Sequence, residues 1–197
     1  VLHAISTGRH AKKAEAAGVD AVICEGFEAG GHKGFTELTT FALTPMVADA
    51  VSLPVITGGG IGDARGVLAA LALGADGVYM GTRFMATQES ESHHRVKQAI
   101  VTCQDACTVT ISKDFMVARD LRNQFTETYM EMHKSGAAPK ELGEYLNAHS
   151  QYHAQHLGNS EEAEICCGQF AGMISEIKSA TEVMQEIVQA VGPNSKR

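Results

Sequence analysis

Three short stretches hold the residue types that could do chemistry. The first, Glu25-Gly-Phe-Glu-Ala-Gly-Gly-His32, presents an imidazole directly after two glycines. A histidine can take or give a proton near neutral pH, and Gly30 and Gly31 would let the backbone come close to a flat ring. The second and third, Thr57-Gly-Gly-Gly-Ile-Gly62 and Met80-Gly-Thr-Arg-Phe84, are glycine turns that each follow a short apolar run. Free N–H groups in such turns, aided by a helix dipole, favour a phosphate. Gly81 and Thr82 can each offer an N–H, and Thr82 adds a hydroxyl. Each stretch also has a plainer reading. A glycine turn can simply need positive φ, and a loop histidine usually bonds a carbonyl. Glu25 and Glu28 could support the histidine or be surface charges. The two glycine turns together favour a phosphate-bearing cofactor, foremost a flavin. A dinucleotide fingerprint fits less well, because no acidic residue is evident on a following strand.

The elements that would position these stretches alternate. Residues 1–6, 21–24, 54–57 and 77–80 read as strands, and 9–17, 44–51 and 63–73 as helices, with Asp63 and Gly74 as cap and stop. Short loops between them imply parallel strands with right-handed crossovers. The cadence at 17–22 returns at 73–78, as a β/α repeat would give. In a (β/α)₈ barrel the loops after strands 7 and 8 commonly form one phosphate site. Taking 54–57 and 77–80 as those strands makes the glycine turns neighbours. Four units are present where a closed barrel needs eight. The expected fold is therefore α/β: the C-terminal half of a (β/α)₈ TIM barrel, strands 5–8, over residues 1–88. A mostly helical extension follows over 89–197, with helices at 92–103, 117–134, 139–155, 164–174 and 181–191 and one strand at 107–111. The chain opens at Val1 inside a strand-like run, which suggests the tail of a longer protein.

Composition narrows the partners. A net charge of -7 gives no broad basic surface for nucleic acid or anionic membrane, and no run approaches the roughly 18 apolar residues of a spanning helix. Cys24, Cys103, Cys107, Cys166 and Cys167 are odd in number and fit no disulfide framework. A reducing cytoplasm and core or interface thiols are expected. His149, His153 and His156 read as one solvated helix face, since no glutamate follows His149 as a zincin would need. No metal site is expected.

These motifs give the chain a resemblance to the nitronate monooxygenases and to their relatives, the FMN-containing enoyl-acyl-carrier-protein reductases. The matching stretches are 25–34 with Leu38-Thr39-Thr40, then 54–66, 70–84 and Cys167-Gly-Gln-Phe-Ala-Gly-Met173, with a weaker match at 119–125. The resemblance implies a (β/α)₈ barrel with a helical extension, and FMN as cofactor. It places Gly59, Gly60, Gly81 and Thr82 at the FMN phosphate, Ala29, Gly30 and Gly31 along the isoalloxazine ring, and His32 as the active-site histidine. The implied reaction is oxidation of an alkyl nitronate with O2. The alternative is NAD(P)H-dependent reduction of an enoyl thioester. A third reading, of another class, is a truncated, non-catalytic flavin- or phosphate-binding half barrel. Ala4 stands where some relatives carry a lysine. The family's first four strands have no counterpart here, so a missing N-terminal half barrel or a second copy is the expected macromolecular partner.

Overall fold

A computed structural model describes residues 1–113 and 116–192. Along the chain run β1 (Leu2–Ile5), α1 (Gly8–Ala16), β2 (Ala21–Glu25), β3 (Gly31–Lys33), α2 (Thr40–Ala48), β4 (Val55–Gly58), α3 (Ala64–Ala72) and β5 (Gly77–Tyr79). Then follow α4 (Thr82–Met85), α5 (His94–Val101), β6 (Thr108–Lys113), β7 (Met116–Leu121), α6 (Gln124–Lys134), α7 (Pro139–Ala148), α8 (Gln151–Gln155), a 3-10 turn over Gln169–Met173, and α9 (Ala180–Val191). They form two compact units. One holds Val1–Ala29, Phe35–Gly81 and the segment from Ser179 onward; the other holds Gly30–Gly34 and Thr82–Lys178. Among the described residues no helix is long and apolar enough to cross a membrane.

The first unit is built on a parallel sheet in the order β1-β2-β4-β5. Ile5, Val22, Cys24 and Val55 form one cluster with Ala11 and Ala14 of α1 and Leu43 and Val47 of α2. Alanines three apart let α1 lie close to the strands. The Thr7 hydroxyl accepts the His10 N–H to start that helix, and Gly18 at φ +80° ends it. Within this core the Cys24 sulfur and the Thr44 hydroxyl each lie 3.0 Å from the Thr57 hydroxyl, so the buried polar atoms satisfy one another. Ala4, Ile23 and Ile56, in register on the other face, are not fully buried. α9 packs on α3.

The second unit departs from the expected helical layer. It holds an antiparallel sheet, β3-β7-β6. Residues 117–121, expected to begin a helix, are a strand because β7 finds ladder partners on both sides. The helix starts only after Asn123, whose side chain accepts the Thr126 N–H at 3.1 Å and donates to Ser160 O and Ala163 O. Phe125 and Tyr129 of α6 then pack with Leu142, Ile111 and Ala118. The expected helix at 139–155 is two helices, since Ser150 adopts an extended conformation before α8. Residues 164–174 are not an α-helix either. The N–H of Leu121 donates to Ile165 O and that of Cys167 to Arg119 O, which draws this segment alongside β7, and only Gln169–Met173 turns helically. Cys103 and Cys107 form a disulfide, with Cα atoms 5.7 Å apart, rather than the two separate thiols expected. The four-residue spacing allows it because the chain turns between α5 and β6. Cys24, Cys166 and Cys167 are free.

Candidate functional site

In the first unit, Gly58 pairs with Tyr79. The turns after β4 and β5 therefore leave neighbouring strands at the carboxyl end, as the sequence predicted. Gly59 (φ +101°) and Gly60 (φ +71°) occupy the left-handed region. A Cβ on Gly59 would lie 3.0 Å from Gly26 O and from the Thr40 hydroxyl, and 3.2 Å from Ala29 N, so the turn rests on the loop that carries Ala29. Glu28 has a defined role there. Its two carboxylate oxygens accept the Thr40 N–H at 3.0 and 2.8 Å, and the Thr40 hydroxyl donates to Gly59 O at 2.7 Å. Glu28 thus caps α2 and aims its charge at that helix's positive end. Asp63 does the same for α3, accepting from Arg65 N and Gly66 N. An anion at the glycine turn would meet turn amides rather than these two. A Cβ on Gly81 would meet nothing within 4 Å. Backbone amides at two adjacent strand ends, one with open space before it, fit a terminal phosphate, and Glu28's charge is already engaged.

In the second unit, a Cβ on Gly30 would lie 2.6 Å from the Cys167 carbonyl carbon and from Gly168 N. The close approach that Gly30 permits is thus to the chain itself. The Thr82 hydroxyl accepts the Gly168 N–H at 2.9 Å, so Gly30 and Thr82 meet the same peptide. Gly31 has φ +84°. His32 follows on β3, opposite Ala118, with 42% of its side chain exposed. Its Nε2 lies 2.7 Å from Lys113 Nζ, which in turn lies 2.5 Å from Glu164 Oε1. The His32 Nε2 to Glu164 Oε1 distance is 3.9 Å. Arg83, from the third sequence stretch, is structural: its buried guanidinium donates to Ala86 O and Glu176 O. His149 stacks on Tyr145 and bonds its carbonyl oxygen, while His153 meets the Ser150 hydroxyl beyond the helix break.

No motif in the sequence points to the group behind His32. Asp120 of β7 is fully buried beside Glu164 and the Cys166 thiol, and neither of its oxygens has an N–H or O–H partner among the described residues. Burial, then the Glu164 charge, pushes the Asp120 carboxyl up to about 7, opposed by the Cys166 thiol's hydrogen bond and then by the Lys113 and Lys33 charges. Burial and the two carboxylates push the Cys166 thiol far up, and burial pushes Cys167 up to about 12, so neither is a nucleophile at neutral pH. His32 is pushed below its ordinary value by burial and then by the Lys113 charge, against the pull of Glu164. Donor atoms of Asp120, Glu164 and Cys166 lie within 4.8 Å of one another. The cation that meets Glu164 is the Lys113 ammonium, so the group is an ionic cluster built around a lysine.

Comparison with known proteins places this arrangement. Residues 1–190 match the family model for nitronate monooxygenase. The chain belongs to the nitronate monooxygenase family. A probable nitronate monooxygenase of Staphylococcus aureus (strain JH9) is 33% identical over 187 residues, covering 90% of this chain and 52% of that protein. FabK from Thermotoga maritima is 40% identical with a TM-score of 0.90, over 96% of this chain and 60% of FabK. A nitroalkane oxidase from Streptomyces ansochromogenes is 31% identical with a TM-score of 0.78, over 96% of this chain and 57% of the oxidase. The chain thus spans about half the length of the curated relatives it matches. FabK and the nitroalkane oxidase are TIM-barrel enzymes, and the four parallel strands here are the C-terminal half of such a barrel.

Proposed function

We propose that this chain is part of an FMN-dependent oxidoreductase that oxidises alkyl nitronates with O2. The carrying observation is a half-exposed imidazole, His32, directly after the Gly30-Gly31 pair in a chain whose residues 1–190 match that family. Gly59, Gly60, Gly81 and Thr82 would hold the FMN phosphate, and Ala29, Gly30 and Gly31 would line its ring. Bound FMN supplies two-electron redox chemistry. The chain's own residues bind and orient: the turn amides meet the phosphate, the small residues at 29–31 admit the ring, and His32 fixes the substrate or handles its proton. The remaining barrel strands would come from an N-terminal half barrel or a second copy.

The test uses the complete barrel. It should purify with FMN and take up oxygen with a nitronate. FAD as the extracted cofactor would overturn the one-phosphate reading. NADPH consumption with a crotonyl thioester, and no uptake with a nitronate, would assign the enoyl reductase activity instead. His32→Ala should keep flavin and lose roughly 10²–10⁴ in turnover; unchanged kcat and KM would remove His32 from the chemistry.

A further inference from the structure

We infer that Lys113, anchored by Glu164, is a positioning residue that holds His32 as a neutral imidazole protonated on Nδ1. An ammonium has three protons to donate and no lone pair to accept with. The 2.7 Å contact between Lys113 Nζ and His32 Nε2 therefore makes Nε2 the acceptor. A neutral imidazole that accepts at one nitrogen carries its proton on the other. Lys113 cannot easily leave, because its side chain is 11% exposed and its ammonium is held 2.5 Å from Glu164, itself 6% exposed.

The charges around the ring agree. Lys113 disfavours a second positive charge on His32, and Glu164 at 3.9 Å offsets only part of that. Lys33 lies next to His32 on β3. From β7 come Arg119 and the buried Asp120, and Cys166 lies beside Asp120. The consequence deepens the functional reading above and rests on it. His32 would meet a substrate as an N–H donor through Nδ1, and Nε2 would become a base only when Lys113 releases it. The lysine lies 81 residues from the histidine, so no sequence motif links them.

The test is ¹⁵N and ¹³C NMR of histidine-labelled protein in the complete barrel, with His32→Gln to assign the signal. Wild-type His32 should show the Nδ1–H tautomer at pH 7 and titrate below 6.5. Lys113→Met should raise that titration by about one pH unit or more and release the tautomer. Lys113→Arg, which keeps charge and donor, should preserve both. An Nε2–H tautomer in the wild type overturns the inference without any variant. So does a Lys113→Met protein with unchanged tautomer and titration. Neither readout depends on turnover, whereas an active His32→Ala enzyme would refute the functional reading alone.

Discussion

Asp120 gives the most direct test of the second unit's electrostatics. Its carboxyl is fully buried, its oxygens meet no N–H or O–H donor among the described residues, and burial pushes it up to about 7 against 3.8 for an ordinary aspartate. Between those values the folded state keeps a proton that the unfolded state has released. Stability therefore falls as pH rises from about 4 to about 7 and is level above that. Each tenfold in proton affinity is about 1.36 kcal/mol, so the raised carboxyl withholds up to roughly 4 kcal/mol at pH 8. That is a large part of a domain stability of roughly 5–15 kcal/mol. Asp120→Asn keeps the shape and removes the titration. Its buried amide brings a cost of about 1–3 kcal/mol, but that cost is the same at every pH. The slope is thus the test. Urea unfolding of wild type and variant, each in the complete barrel, at pH 5 and pH 8 should show the variant gaining on the wild type by roughly 3 kcal/mol, the part of the shift that lies above pH 5. Parallel pH dependences would refute the reasoning, because titrating groups remote from Asp120 cancel in the difference.

Other consequences can be measured alongside. Glu28→Ala removes both acceptors for the Thr40 N–H and should cost about 1–2 kcal/mol in chemical denaturation. Gly30→Ala drives a methyl to 2.6 Å from the Cys167–Gly168 peptide and should cost about 1–3 kcal/mol; a neutral result would mean that β3 is free to shift. Gly81→Ala should fold normally, while Gly81→Asp should lose flavin through bulk and charge, read as the flavin-to-protein absorbance ratio. The strands β1 and β5 are the edges of the four-stranded sheet, and Leu2 and Tyr79 on them are 61% and 60% exposed. This chain alone should therefore self-associate, and a monodisperse monomer in sedimentation with strongly protected β1 and β5 amides would refute that.

The first unit was legible in the sequence because its structure is local. Each strand is a short apolar run, and Asp63 and Gly74 bound α3 within a few residues of their own position. Where a distant partner decides, the sequence misled. The helix expected from residue 44 begins at Thr40 because Glu28, twelve residues earlier, satisfies its first N–H. Residues 117–121 have no strong strand alternation, and only pairing with β3 and β6 makes them a strand. His32 was legible from its glycines. Lys113, Asp120 and Glu164 were not, since their meeting depends on the antiparallel sheet and on the 165–167 segment running beside β7.

The glycines of the candidate site separate into those the chain itself requires and those it does not. Gly30 is fixed by the Cys167–Gly168 backbone, and Gly59 by its φ and by Gly26, Thr40 and Ala29. Either would be glycine in a protein that bound nothing, so neither argues for a ligand. Gly81 is different. An added Cβ there would meet no atom within 4 Å, and its φ lies outside the left-handed region. Open space alone is weak support, because Gly143 on α7 is equally unhindered and sits on a helix with no anion-binding geometry. What distinguishes Gly81 is its position. It follows β5 at the strand end beside the Gly59 and Gly60 turn, where a barrel commonly receives a phosphate. The case for a bound phosphate therefore rests more on Gly81 than on the conspicuous triple glycine. The contrast between Gly81→Ala and Gly81→Asp bears on it directly, since a methyl should leave flavin bound and a bulkier, charged carboxylate should expel it.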